Sequence, residues 1–109
     1  MDKQTRTAAR LFTARINERF DVSRFVLFGS RARGDNREDS DADVAVFLRG
    51  DKGDFVEAKL AMADIAFDVL VETGIRIQPL PIWEGEWLRP DTYSNPHLLK
   101  NIAKEGLTL

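Results

Sequence analysis

The run Phe25-Val26-Leu27-Phe28 stops abruptly at Gly29-Ser30. Strand side chains alternate between two faces, so four consecutive apolar residues need cover on both sides. That segment demands a sheet with layers on each face and a sharp turn at its end. The rest of the chain supplies the parts. Asp43 to Leu48 reads as a second strand, and Ile75 to Ile82 as a weaker third. Pro79 and Pro81 cannot donate to a ladder, which pushes the third strand to an edge or an irregular end. Apolar groups at Ala8, Ala9, Phe12, Ile16 and Phe20 give residues 5–20 one helical face, with Arg6, Arg10, Arg15 and Arg19 largely off it. Asp54 followed by Glu57 is a capping signal for a long helix ending near Glu72, with Gly74 after it. Asn95-Pro96 opens a last helix through Glu105, closed by Gly106. The order helix, strand, strand, helix, strand, helix predicts an α+β (α/β) fold, a small mixed sheet with helices packed against it. At 109 residues, one domain spanning 1–109 is expected.

Composition removes several classes of function. The chain has no cysteine, which excludes a disulfide framework, a zinc ribbon and a thiol nucleophile, and fits a cytoplasmic location. No apolar run approaches membrane-spanning length, and no signal-peptide core follows the charged N-terminus. A net charge of −2 argues against a general nucleic-acid binder. That small figure hides an asymmetry. Residues 1–37 carry nine basic and four acidic groups, whereas residues 38–109 carry seven and fourteen. The sign changes within the stretch from Arg31 to Asp43, as expected where a charged ligand meets a counter-ion.

The chemistry concentrates in that stretch. Gly29-Ser30 after a buried strand offers backbone N–H groups to an anion, and glycine lets the ligand approach closely. The Ser30 hydroxyl and the guanidinium of Arg31 or Arg33 add phosphate donors. Asp41 and Asp43, two apart at a strand start, point to the same face, roughly 6–7 Å apart along the chain. Two carboxylates on one face suit Mg²⁺, which typically joins one or two carboxylates to substrate phosphates. An anion cradle beside a carboxylate pair is a layout for phosphoryl or nucleotidyl transfer. Rival motifs fail. Gly29 to Gly34 is followed by Asp35-Asn36 where a P-loop needs Lys and Ser/Thr. Asp39-x-Asp41-x-Asp43 opens like a calcium loop, but Val44 and Gly50 occupy the positions needing Gly and Glu.

Gly29-Ser30, ten residues, then Asp41-x-Asp43 resembles the signature of the polymerase-β-like nucleotidyltransferase superfamily. The fuller string GSRARG…SDAD is similar to its minimal nucleotidyltransferase (MNT) branch, small domains often paired with HEPN-domain proteins in toxin–antitoxin modules. The resemblance covers nearly the whole chain. It implies that Gly29 and Ser30 grip a nucleoside triphosphate, with Arg33 as a further phosphate contact, and that Asp41 and Asp43 are catalytic and hold two Mg²⁺ ions. ATP is the implied donor, and a hydroxyl of a cognate HEPN protein the implied acceptor. A third carboxylate usual in the family is missing. Gln78 stands at its aligned position, and glutamine can neither act as a general base nor contribute charge. Asp68, Glu72 and Glu84 are the nearest acids and read as surface residues. The alternative is therefore a catalytically impaired MNT domain that binds nucleotide or a partner protein as an antitoxin module. Half of a split small-molecule transferase is a third reading, and a homo-oligomer stays open. His97 reads as a cap or surface residue. Trp83 and Trp87, four apart, are expected to share a helical face and pack into the core.

Overall fold

A computed structural model describes residues 1–109. Four strands form one sheet in the order β3-β2-β1-β4. β1 (Val22–Phe28) lies antiparallel to β2 (Ala42–Leu48), and β2 runs parallel to β3 (Ile77–Trp83). The short β4 (Leu107–Thr108) pairs antiparallel with β1 on its other side. The architecture is the mixed α+β fold expected from the apolar run, with Phe25, Val26 and Leu27 all buried. Proline places β3 at the edge, as its sequence allows, yet β3 pairs with β2 along its full seven residues.

One face of the sheet packs against α1 (Lys3–Asn17) and α3 (Phe55–Thr73). Phe12, Ile16, Leu27, Val44, Val46, Met62 and Val69 form the centre of that core. The other face carries α4 (Glu84–Leu88), a 3₁₀ turn at Pro90–Thr92 and α5 (Pro96–Glu105). Its smaller core joins Val26, Ala45, Phe47, Ile82, Tyr93, Leu99 and Ile102. Strand alternation divides β2 between them. Ala42, Val44, Val46 and Leu48 face the larger core, and Ala45 and Phe47 the smaller one. Asp41 and Asp43 are in phase with the second set, at the strand end that α5 leaves uncovered.

The caps form as their chemistry dictates. Asp54 accepts from the Glu57 N–H at 3.0 Å, and Asn95 accepts from Leu98 at 3.3 Å. Gly74 ends α3 at φ 78°, where a side chain would be strained. α1 begins earlier than its apolar face suggests, because Asp2 accepts from the Thr5 N–H at 2.7 Å. Four elements go beyond the sequence reading: β4, the helix α4, the 3₁₀ turn at Pro90–Thr92, and α2 (Ser30–Arg33), a single turn inside the expected polar loop. The two tryptophans correct another expectation. Both are packed, but Trp83 ends β3 in the larger core whereas Trp87 lies on α4 against Phe47, ring centroids 5.0 Å apart and edge to face. They share no helical face, because the strand runs through Trp83 before the helix starts. His97 is exposed in the first turn of α5.

Candidate active site

β1 reaches its end at Phe28, whose cross-strand partner is Asp43. Gly29 then turns the chain at φ 75° and ψ −159°, a conformation essentially reserved for glycine. A Cβ at this position would stand 2.4 Å from Asp43 Oδ2. The absent side chain is therefore what lets the Asp43 carboxylate lie against the turn. Ser30 begins α2 immediately beyond, half-buried.

On the opposite side of Asp43, the parallel register places Gln78 directly across. The Gln78 amide donates to Asp41 Oδ2 at 3.3 Å. Gly29, Asp41, Asp43 and Gln78 thus gather at one end of three adjacent strands. Burial pushes the Asp43 carboxyl above its usual range, and the Asp41 charge adds to the rise, against Lys59 and Arg33. The donors are oxygen only, and the pair is electrostatically uncomfortable without a cation. That is the donor chemistry a hard divalent ion fits. No group of three or more His, Cys, Asp or Glu side chains is placed to hold a metal. Glu84 meets Ser23 at 2.6 Å and Arg24 at 3.4 Å, Glu72 pairs with Arg15, and Asp68 is exposed on α3.

The arginines divide. Arg33 is exposed, donating to Asp35 at 3.1 Å and, with NH1, to both oxygens of Glu105 at 3.0 and 3.1 Å. These partners, Asp35 foremost, hold its guanidinium more firmly protonated than usual. Arg31 departs from the role of phosphate donor. It is 4% exposed and clamps the loop that delivers Asp41, donating to Ser40 O, Glu38 O and Thr5 Oγ1 at 2.8, 2.9 and 3.0 Å. The clamp ties the carboxylate loop to α1, with Asp2 as counter-ion at 3.6 Å.

Two residues enter that local spacing could not reveal. Glu105, at the end of α5, accepts the Gly29 N–H at 3.3 Å as well as Arg33. Its carboxylate thereby occupies two of the donors assigned from the sequence to an anionic ligand, the Gly29 amide and Arg33. Lys59 of α3 donates to Pro79 O at the edge strand, and burial lowers its ammonium from the usual range while Asp43 opposes the shift. Both arrive through tertiary packing from 76 residues after Gly29 and 16 residues after Asp43.

A surface cleft of about 460 Å³ lies at the other end of β2 among Leu48, Asp54 and Trp83. Its three acids are Asp21, Asp54 and Glu57, but Asp21 pairs with Arg49 at 2.6 Å, Asp54 is committed to capping α3, and there is no turn of the Gly29 kind. The chemistry favours the open carboxylate end over the larger hollow.

Comparisons with known proteins bear on the fold and the family. A crystal structure titled as a "putative nucleotidyltransferase" from Sulfolobus solfataricus superposes with a TM-score of 0.54 at 20% identity, covering 99% of this chain and 87% of that one, a likeness of fold. No curated protein matches the sequence significantly. The family model for the nucleotidyltransferase domain matches residues 10–106, a span that holds the Gly29 turn, both aspartates, Gln78 and Glu105, and the chain therefore belongs to the nucleotidyltransferase domain family.

Proposed function

We propose that this chain is a cytoplasmic nucleotidyltransferase of the minimal type that transfers AMP from ATP to a protein hydroxyl, with a HEPN-domain partner as acceptor. The observation that carries the proposal is the Asp43 carboxylate lying against the side-chain-free Gly29 turn, with Asp41 held beside it by Gln78. Asp41 and Asp43 are the residues that would hold Mg²⁺, which when bound neutralises triphosphate charge and polarises the phosphorus under attack. Gly29 leaves room for a phosphate to approach the backbone, and Ser30 presents a hydroxyl donor at the start of α2. Arg33 exchanges Glu105 for a phosphate oxygen. The acceptor oxygen bonds to the α-phosphorus as the bond to the leaving pyrophosphate breaks. The acceptor's proton goes to solvent or to the partner, because Gln78 cannot take it.

Gln78 also favours a second reading. Its amide donates to Asp41 at the place where a third acid would stand, so the site holds two negative charges. This supports a domain that binds nucleotide or partner and turns over poorly, an antitoxin by contact. Labelling with [α-³²P]ATP and Mg²⁺, with a purified HEPN-domain protein as acceptor, tests both. Label on the partner that vanishes in Asp41→Asn and Asp43→Asn supports transfer. Nucleotide binding without label supports the binding module, and neither binding nor label overturns the site.

A further inference from the structure

α3 is apolar on two opposite sides. Ala58, Met62, Ile65, Ala66 and Val69 face the larger core. Val56, Leu60, Ala63, Phe67 and Val71 follow one another at spacings of four, three, four and four, a single stripe along the outer side. The four larger ones are 63%, 63%, 62% and 71% exposed. A helix covering a soluble domain ordinarily turns a polar face outward, and a continuous apolar stripe marks an interaction surface. One border of the stripe is acidic. Glu57, Asp64, Asp68 and Glu72 each follow the stripe closely in the helical wheel, and only Glu72 has an ion-pair partner, Arg15.

A second copy of this chain fits the stripe badly. In a two-fold pair with antiparallel helices, the acidic row would face its own copy. With parallel helices it would face the opposite border, where the α3 residue able to answer is Lys59, and Lys59 is turned in toward Pro79 O. Self-pairing sets the acidic row against itself on one geometry and, on the other, offers Glu57, Asp64 and Asp68 only the exposed Arg76 beside Phe67 and Leu70.

We infer that the outer face of α3 docks an amphipathic helix of a different protein, one whose apolar stripe is bordered by lysine or arginine. Apolar area supplies the affinity, and the unpaired acidic row selects the partner's flank and its direction. The test of this surface uses no nucleotide, so failure of one reading leaves the other standing.

The experiment uses the full chain and two synthetic helical peptides with the same leucine stripe, one flanked by lysine and one by glutamate. Fluorescence anisotropy is expected to show the lysine peptide binding about tenfold more tightly, with the advantage shrinking as salt rises. Phe67→Asp should abolish binding, and the double substitution Asp64→Lys with Asp68→Lys should reverse the preference, each variant keeping the parent's circular dichroism and melting cooperativity. Equal binding of the two peptides overturns the inference. So does sedimentation of the chain alone as a dimer that Phe67→Asp dissociates, which would give the face to a second copy.

Discussion

Alanine at Gly29 tests the backbone demand of the turn against the packing demand of the site. Gly29 lies at φ 75° and ψ −159°, where a side chain costs about 1–3 kcal/mol. The new Cβ would also stand 2.4 Å from Asp43 Oδ2. A carboxylate end can swing aside, so that overlap is relieved by displacing Asp43 more than by unfolding the turn. Gly34 supplies the control. It ends α2 at φ 84° and ψ 7°, in the left-handed region, with nothing within 4 Å of an added Cβ, and alanine there should cost about 1 kcal/mol. The expected losses are about 2 kcal/mol for Gly29→Ala and about half that for Gly34→Ala. With melting shifts of about 4–8 °C per kcal/mol in a small domain, the two should melt roughly 10 °C and 5 °C below the parent. Urea denaturation gives the free energies, and thermal melts with and without Mg²⁺·ATP give the site response. Only Gly29→Ala should lose that response. Equal losses in the two variants, or a full Mg²⁺·ATP response in Gly29→Ala, would refute the coupling of this turn to Asp43.

Gln78→Asp should raise nucleotidyl transfer in the labelling assay with little change in nucleotide affinity, because a charge is added where chemistry needs it and not where the triphosphate sits; unchanged or lower transfer would place the missing acid elsewhere. In metal-free buffer, Asp43→Asn should stabilise the chain at neutral pH. Burial raises the folded Asp43 above its ordinary 3.8, so parent stability falls as pH rises from there through the folded value, and the variant's advantage should close on acidification; denaturant midpoints across that pH range check it. Glu105→Gln should tighten ATP·Mg²⁺ binding in calorimetry by removing a carboxylate from the Gly29 amide and Arg33. Arg31→Met should cost about 3 kcal/mol in urea denaturation by leaving Glu38 O and Ser40 O without their donor.

Local chemistry made much of the fold legible. Asp54, Gly74, Asn95 and Pro96 announce helix ends through bonds made within a turn, and Pro79 and Pro81 exclude a central strand because a missing N–H breaks an interior ladder, leaving an edge or an irregular end. The carboxylate pair is legible for the same reason, since alternation along one strand decides where Asp41 and Asp43 point. Arg31 is different. Its neighbours in sequence are exposed phosphate-binding candidates, and only the packing of α1 against the loop reveals that its guanidinium is consumed by backbone carbonyls. Glu105 and Lys59 belong to the same class, groups whose surroundings are supplied by distant segments. β4 escaped because two residues carry no period, and α4 because it starts directly from the strand residue Trp83, which leaves no loop to mark the boundary.

Both margins of the sheet are poor templates for further strands. β4 offers only two residues on one side. On the other, Pro79 and Pro81 remove two N–H donors from β3, and Lys59 already claims the Pro79 carbonyl. A stray extended segment finds no continuous ladder on which to grow, so edge-to-edge aggregation and β-augmentation by a peptide ligand are both disfavoured. The sheet's margins thus disfavour assembly by strand addition and leave the helices as the better surfaces for a partner.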